Sequence, residues 1–191
     1  VIEVSAGGLH SIAATDLGAL YSWGAGRDGK LGHGDVISRA HPARVEALRS
    51  VKIAHVSAGD SHSLAISSDG GLFSFGLGEC GRLGHGSETS MLVPQKVHSL
   101  EGQKVCAIAA GFYHSIVLLD ATAARSNAFA APHKARTSAA FTIAPAEDER
   151  DIPVQVEEYL VATFGDGAYG KLGHGDTSDQ LIPRIVESLR G

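Results

Sequence analysis

Cysteine, methionine and tryptophan are nearly missing from this chain: two Cys, one Met and one Trp in 191 residues. Cys80 and Cys106 have no Cys or His partner at motif spacing. That excludes a disulfide framework and fits a reducing compartment, so an intracellular protein, cytoplasmic or nuclear, is expected. No apolar run approaches the roughly 18 residues of a membrane span, so no membrane partner is expected. Charge is sparse as well. Charged residues make up 19% of the chain, with a formal net charge of −5. That balance argues against a nucleic-acid partner. No sustained helical period is found in the repeating part of the chain. The opening "VIEVSAGG" has neither an initiator Met nor a signal peptide, and the chain is expected to continue beyond one or both ends.

What the chain has in excess is glycine, 24 residues, well above the usual share of about 7%. The glycines recur in register. "VSAGGLHS" (Val4–Ser11) returns as "VSAGDSHS" (Val56–Ser63) and "IAAGFYHS" (Ile108–Ser115). His10, His62 and His114 are spaced by 52. Gly24, Gly26 and Gly29 match Gly76, Gly78 and Gly81 at the same spacing, then Gly165, Gly167 and Gly170 after 89. "KLGHG", "RLGHG" and "KLGHG" close the copies, followed by Pro42, Pro94 and Pro183, each with Val three residues later. The chain is therefore three repeats, about 1–51, 52–103 and 104–191, with 37 extra residues in the third.

Each repeat reads as four short strands, exemplified by a run at Ala43–Val45, Lys52–Ser57, "HSLAIS" (His62–Ser67) and Leu72–Phe75 after a D-G turn. Short strands bounded by Gly and Asp, repeating at tens of residues, predict propeller blades. In this setting "GAGRDG" (Gly24–Gly29), which matches the dinucleotide fingerprint G-x-G-x-x-G, is read as architecture. It leads into the glycines of "KLGHG", and each Gly costs a helix about 1 kcal/mol, so the helix that a phosphate loop needs does not start there. No cofactor is expected.

These motifs, "AGxxHS … LYSWGxGxxGxLGHG … PxxV" as they stand from Ala6 to Val45, resemble the regulator of chromosome condensation repeat. The resemblance covers nearly the whole chain apart from the extra segment. It implies an all-β fold: a partial β-propeller of about three four-stranded blades, from a family whose full ring has seven. Departures are Leu17 before Gly18, Phe75 and Phe164 in the place of Trp23, and Ala162 in the place of Tyr21 and Phe73. On function the resemblance implies a protein–protein interaction scaffold without catalytic residues, a segment of a larger protein bound to its remaining repeats. Two alternatives come with it: a guanine-nucleotide exchange factor for a Ran-type small GTPase, or the substrate-recruiting region of a ubiquitin ligase. A light-sensing role like that of the plant ultraviolet-B photoreceptor is rejected, because clustered tryptophans are lacking.

The repeat also sorts the residues. Positions shared by every copy are read as structural: Gly7, His10, Gly24, Gly32, Gly59, His62, Gly76, Gly84, Gly111, His114, Gly165 and Gly173. The six recurring histidines (with His33, His85 and His174) would lie in separate blades and cannot converge on a metal. Each is expected to bond backbone within its own blade. The adjacent His and Ser of "HS" point to opposite strand faces, which argues against a nucleophile and base. Positions that vary between copies are the candidate partner-binding loops: Arg27, Asp28, Lys30, Glu79, Arg82, Asp166, Tyr169 and Lys171. Among them Lys30, Arg82 and Lys171 would form a basic arc. The extra segment, 121–158, has no glycine, 11 alanines, three of the six prolines and the charged run "EDERD". That composition predicts an exposed, disordered insertion.

Overall fold

The computed structural model describes residues 1–122 and 159–189. They fold into three four-stranded antiparallel sheets in sequence order. Blade 1 is β1 (Glu3–Ala6), β2 (His10–Ala14), β3 (Leu20–Gly24) and β4 (Arg39–Arg44). Blade 2 is β5 (Ile53–Ala58), β6 (His62–Ser67), β7 (Leu72–Gly76) and β8 (Met91–Lys96). Blade 3 is β9 (Lys104–Ala110), β10 (His114–Asp120), β11 (Tyr159–Gly165) and β12 (Gln180–Ile185). The fold is all-β, and the helical pieces among the described residues are three-residue 3-10 turns. The disorder expected of the 121–158 insertion concerns residues that, from 123 on, lie outside those described.

The outermost strands begin earlier than the sequence suggests. β4, β8 and β12 each contain the repeat's proline, at Pro42, Pro94 and Pro183. Proline is tolerated there because an edge strand need not donate on both sides. In β5 the register shifts between Ile53 and His55. This bulge is the break in alternation that the sequence shows between Ile53 and Val56.

The core lies between blades. Ile12, Ala14, Leu20, Val45 and Leu48 of blade 1 pack on Ile53, Val56, Ala58, Ala65 and Phe75 of blade 2. One repeat later Leu64, Ile66, Leu72, Val97 and Leu100 pack on Val105, Val117, Leu119, Ala162 and Phe164. Each blade thus has two chemically different faces. One face carries the aromatic from its third strand; the other carries an aliphatic set ending in the valine after the proline. At the N-terminal end Val1, Ile2 and Val4 are exposed. At the other end Ile182 is 50% exposed and Ile185 is half-buried. Ile185 packs into the second core, and Ile182 lies beside Gly86 of blade 2. The outer face is built from the equivalents of Leu64, Ile66, Leu72 and Val97, namely Ile116, Leu118, Val161 and Val186.

Candidate interaction face and the blade locks

Two kinds of loop gather at one end of the strands. The turns between first and second strands hold Gly7–Leu9, Gly59–Ser61 and Gly111–Tyr113; the longer loops between third and fourth strands hold the G-x-G-x-x-G and L-G-H-G motifs. The conserved spacing of these loops is explained by hydrogen bonds that lock each blade internally and then to the next.

Inside a blade, the hydroxyl of Ser22 donates to the Leu31 carbonyl at 2.7 Å and receives His33 Nε2 at 2.9 Å. Ser74 does the same with Leu83 and His85, and Thr163 with Leu172 and His174. Between blades, His10 Nε2 reaches Ser63 Oγ at 2.8 Å, and His62 Nε2 reaches Ser115 Oγ at 2.9 Å. The expectation that each histidine bonds backbone within its own blade is therefore corrected. All five acceptors are side-chain hydroxyls, and two of them belong to the neighbouring blade. Such long-range pairing is invisible to a reading of adjacent residues, because strand neighbours His10 and Ser11 do point apart while His10 and Ser63 meet.

The polarity of these contacts excludes base-activated serine. Ser63 Oγ donates its proton to the Lys30 carbonyl at 2.8 Å, and Ser115 Oγ donates to that of Arg82 at 2.9 Å. Each hydroxyl can then only accept from the imidazole, which fixes the proton on Nε2. Nδ1 of His10 and His62 is buried without a partner. Burial makes the charged form costly, so His10 is lowered to about 4 and His62 to about 3. Lys30 pushes His10 in the same direction, and Arg82 does so for His62. The repeat glycines of "AG" follow from this packing. A Cβ on Gly59 would lie 2.6 Å from Cε1 of His62 and 2.5 Å from the Gly111 carbonyl oxygen.

The G-x-G-x-x-G loop is a joint as well. Gly29 (φ +78°) lies where a Cβ would fall 2.7 Å from Leu92 Cα of the next blade, and Gly81 (φ +74°) repeats this at 2.6 Å from Leu181 Cα. Gly34 and Gly86 donate to the carbonyls of Leu92 and Leu181. These glycines allow backbone to approach backbone, and no helix or phosphate cradle follows them.

Between the loops of blades 1, 2 and 3 lies an open groove of about 420 Å³, lined by Leu9, Arg27, Asp60, Glu79, Phe112 and Tyr113 among others. Phe112 and Tyr113 are exposed and meet edge to face, 4.3 Å between centroids. The Arg82 guanidinium lies 4.9 Å from the Tyr113 ring centroid. Lining cations (Arg27, Lys30, Arg82) and anions (Asp28, Asp60, Glu79) are equal in number, so the groove is neutral and partly aromatic.

With this geometry in view, the Regulator of chromosome condensation (RCC1) repeat model matches residues 18–66, 69–118 and 160–191. A second model of the same repeat matches 1–30 and 53–82. The chain belongs to the RCC1 repeat family. It is 36% identical over 190 residues to human "E3 ubiquitin-protein ligase HERC2", covering 100% of this chain and 3% of that protein. It is 32% identical to the Arabidopsis thaliana "Ultraviolet-B receptor UVR8", over 100% of this chain and 35% of the relative. Among solved structures it superposes on Prp20p from Saccharomyces cerevisiae with a TM-score of 0.68 at 22% identity, covering 96% of this chain and 37% of that one. The chain thus spans a small part of the length of these relatives.

Within this RCC1-repeat frame the candidate loop residues divide. Lys30 and Arg82 are 3% and 1% exposed. Lys30 Nζ donates to the Asp60 carbonyl at 3.2 Å, and Arg82 Nη1 to that of Phe112 at 3.3 Å. The expected basic arc is corrected accordingly: two of its three members bridge blades from inside. Their equivalent Lys171 is half-buried and paired with Asp166, whose carboxyl it holds below the usual range. Arg27 and Glu79 are exposed, and Tyr169 is 100% exposed. Asp28, Cys80 and Tyr169 occupy one repeat position and share a left-handed backbone, φ +65°, +58° and +63°. Leu9, Phe112 and Tyr113 were missed among the candidates. They vary between copies of "AGxxHS" just as the glycine-loop residues do, so the same signal was present in the sequence.

Proposed function

We propose that this RCC1-repeat segment is a non-catalytic scaffold that binds another protein through its loop face. The observation that carries this reading is the exposed aromatic cluster there: Phe112 and Tyr113 beside the neutral groove, with Tyr169 held out on a left-handed loop. Aromatic side chains bury large areas at low entropy cost and dominate interface energetics. Binding residues on loops of a rigid scaffold are the common arrangement. Similarity to HERC ligases supports recruitment of a ligase substrate as the finer role. The second reading, nucleotide exchange on a Ran-type GTPase, draws on the fold shared with Prp20p, a protein described with its binding to Gsp1p and histones.

The test is site-directed photocross-linking in cell extract, with the cross-linker at position 169 on the loop face or at Glu46 on the opposite end. Enrichment of a discrete protein at position 169, lost in Phe112→Ala/Tyr113→Ala, is expected. Equal labelling from both positions would refute the loop-face reading. Release of labelled GDP from a Ran-type GTPase by the chain would replace it with the exchange-factor reading.

A further inference from the structure

We infer that the loop joint between blades 2 and 3 holds a divalent ion of zinc type, bound by the thiol of Cys80 and the carboxylates of Glu88 and Asp179. Cys80 and Glu88 lie on the glycine-motif loop of blade 2, between β7 and β8. Asp179 comes from the equivalent loop of blade 3. Sγ and one oxygen of each carboxylate lie within 4.8 Å of one another. A tetrahedral zinc ion, with bonds of about 2.0–2.3 Å, spaces its donors by about 3.5 Å. Glu88 and Asp179 are exposed, so small side-chain rotations close that difference.

The repeat itself does not require these three side chains together. At the joint between blades 1 and 2 the same positions hold Asp28, Val36 and Ser90, and no metal-binding group forms there among the described residues. At the third position one oxygen is enough for the fold. Ser38 Oγ and Ser90 Oγ each accept the N–H of their loop's second glycine, Gly26 and Gly78, at 3.2 Å. Asp179 meets that need with Oδ1, 2.9 Å from the Gly167 nitrogen, and has a second oxygen to spare. Glu88 Oε1 accepts the Cys80 N–H at 3.1 Å, which turns its carboxylate toward the thiol's loop.

Charge at this joint is unbalanced. Among the described residues no cationic side chain forms an ion pair with Glu88 or Asp179. A further carboxylate, Asp166, lies against Asp179, and its own partner is Lys171. Burial, and then Asp179, push the Cys80 thiol above its ordinary range, with Arg82 opposing more weakly. The thiol therefore keeps its proton at neutral pH. A divalent ion neutralises the carboxylates and takes the sulfur as thiolate, releasing that proton to solvent. Mixed sulfur and oxygen donors suit Zn²⁺, whereas the harder Mg²⁺ and Ca²⁺ would leave the sulfur out. Three protein donors leave the fourth position to water.

Titration of the reduced, metal-free chain with Co²⁺, followed by competition with Zn²⁺, tests the inference. A thiolate-to-cobalt charge-transfer band reports sulfur ligation, and the ten histidines cannot produce it. The expected result is one Co²⁺ per chain with that band, its displacement by Zn²⁺, and one proton released per ion. Cys80→Asn, whose side chain tolerates the left-handed backbone at φ +58°, is expected to abolish the band, and Cys106→Ser to keep it. Asp179→Ser gives the third repeat the serine of the other two, so the Gly167 N–H keeps its acceptor while one ligand is lost. Its affinity should fall by at least the roughly 10-fold that loss of even an outer-shell partner costs. Far-ultraviolet circular dichroism checks that each variant folds. A wild-type chain that shows no band in excess Co²⁺ overturns the inference. So does a band that survives Cys80→Asn, or an affinity unchanged in Asp179→Ser.

Discussion

Acid is expected to unlock the blades. His10 and His62 each hold a buried, unpaired Nδ1, and their folded pKa values are lowered from 6.5 to about 4 and about 3. Above pH 6.5 both are neutral folded and unfolded, so they contribute no pH dependence. Below it the unfolded chain takes up two protons that the folded chain refuses, and stability falls with pH. By linkage each group removes about 1.4 kcal/mol per pH unit, so the pair has removed about 4 kcal/mol by about pH 5. The loss continues until the folded values of about 4 and about 3 are reached. The other four repeat histidines are lowered by burial too and act in the same direction. Asp35, lowered to about 2 by its bonds to Arg39, titrates well below this window and is separable from it. Against a domain stability of about 5–15 kcal/mol this is a large fraction. Urea unfolding at a series of pH values measures the slope. In His62→Gln, whose amide can still donate to Ser115, the slope below pH 6 should fall by about 1.4 kcal/mol per unit. A stability that is flat between pH 6.5 and 4.5, or a His62→Gln slope equal to wild type, would refute the buried neutral lock.

Phe75→Ala should destabilise the chain by about 3–5 kcal/mol in urea unfolding, because the ring is fully buried between blades 1 and 2. Tyr169→Gly should stabilise it by about 1 kcal/mol in the same assay, since the side chain is wholly exposed and its backbone is left-handed at φ +63°. Replacing residues 121–158 by a short turn should leave the unfolding transition cooperative and its midpoint nearly unchanged. Asp120 and Tyr159 are paired at the mouth of the β10–β11 hairpin, where blade 1 closes over Thr15–Ala19 and blade 2 over Ser67–Gly71.

Much of the architecture was legible from spacing. The recurrence of "AGxxHS", the glycine loop and "PxxV" determined three blades, and alternation within "HSLAIS" marked a strand, although all six of its positions are buried because blades pack on both of its faces. Even the β5 bulge left a mark, as the interval of three between Ile53 and Val56. A strand's period of two and a turn's need for glycine are local, so one sequence displays them directly. The pairing of repeats across blades was not legible. His10 with Ser63, Lys30 with the Asp60 carbonyl and Gly81 with Leu181 join residues 30 to 100 positions apart. Which blade face meets which depends on the rotation from one sheet to the next, and nothing local in the chain encodes it. For that reason Lys30 and Arg82 looked like a basic rim and are buried ties, while Phe112 and Tyr113, not singled out in the sequence, stand at the groove. The repeat determined what the chain builds; only the joining of one blade to the next decided which of its polar residues stay open at the loop face and which hold the blades together.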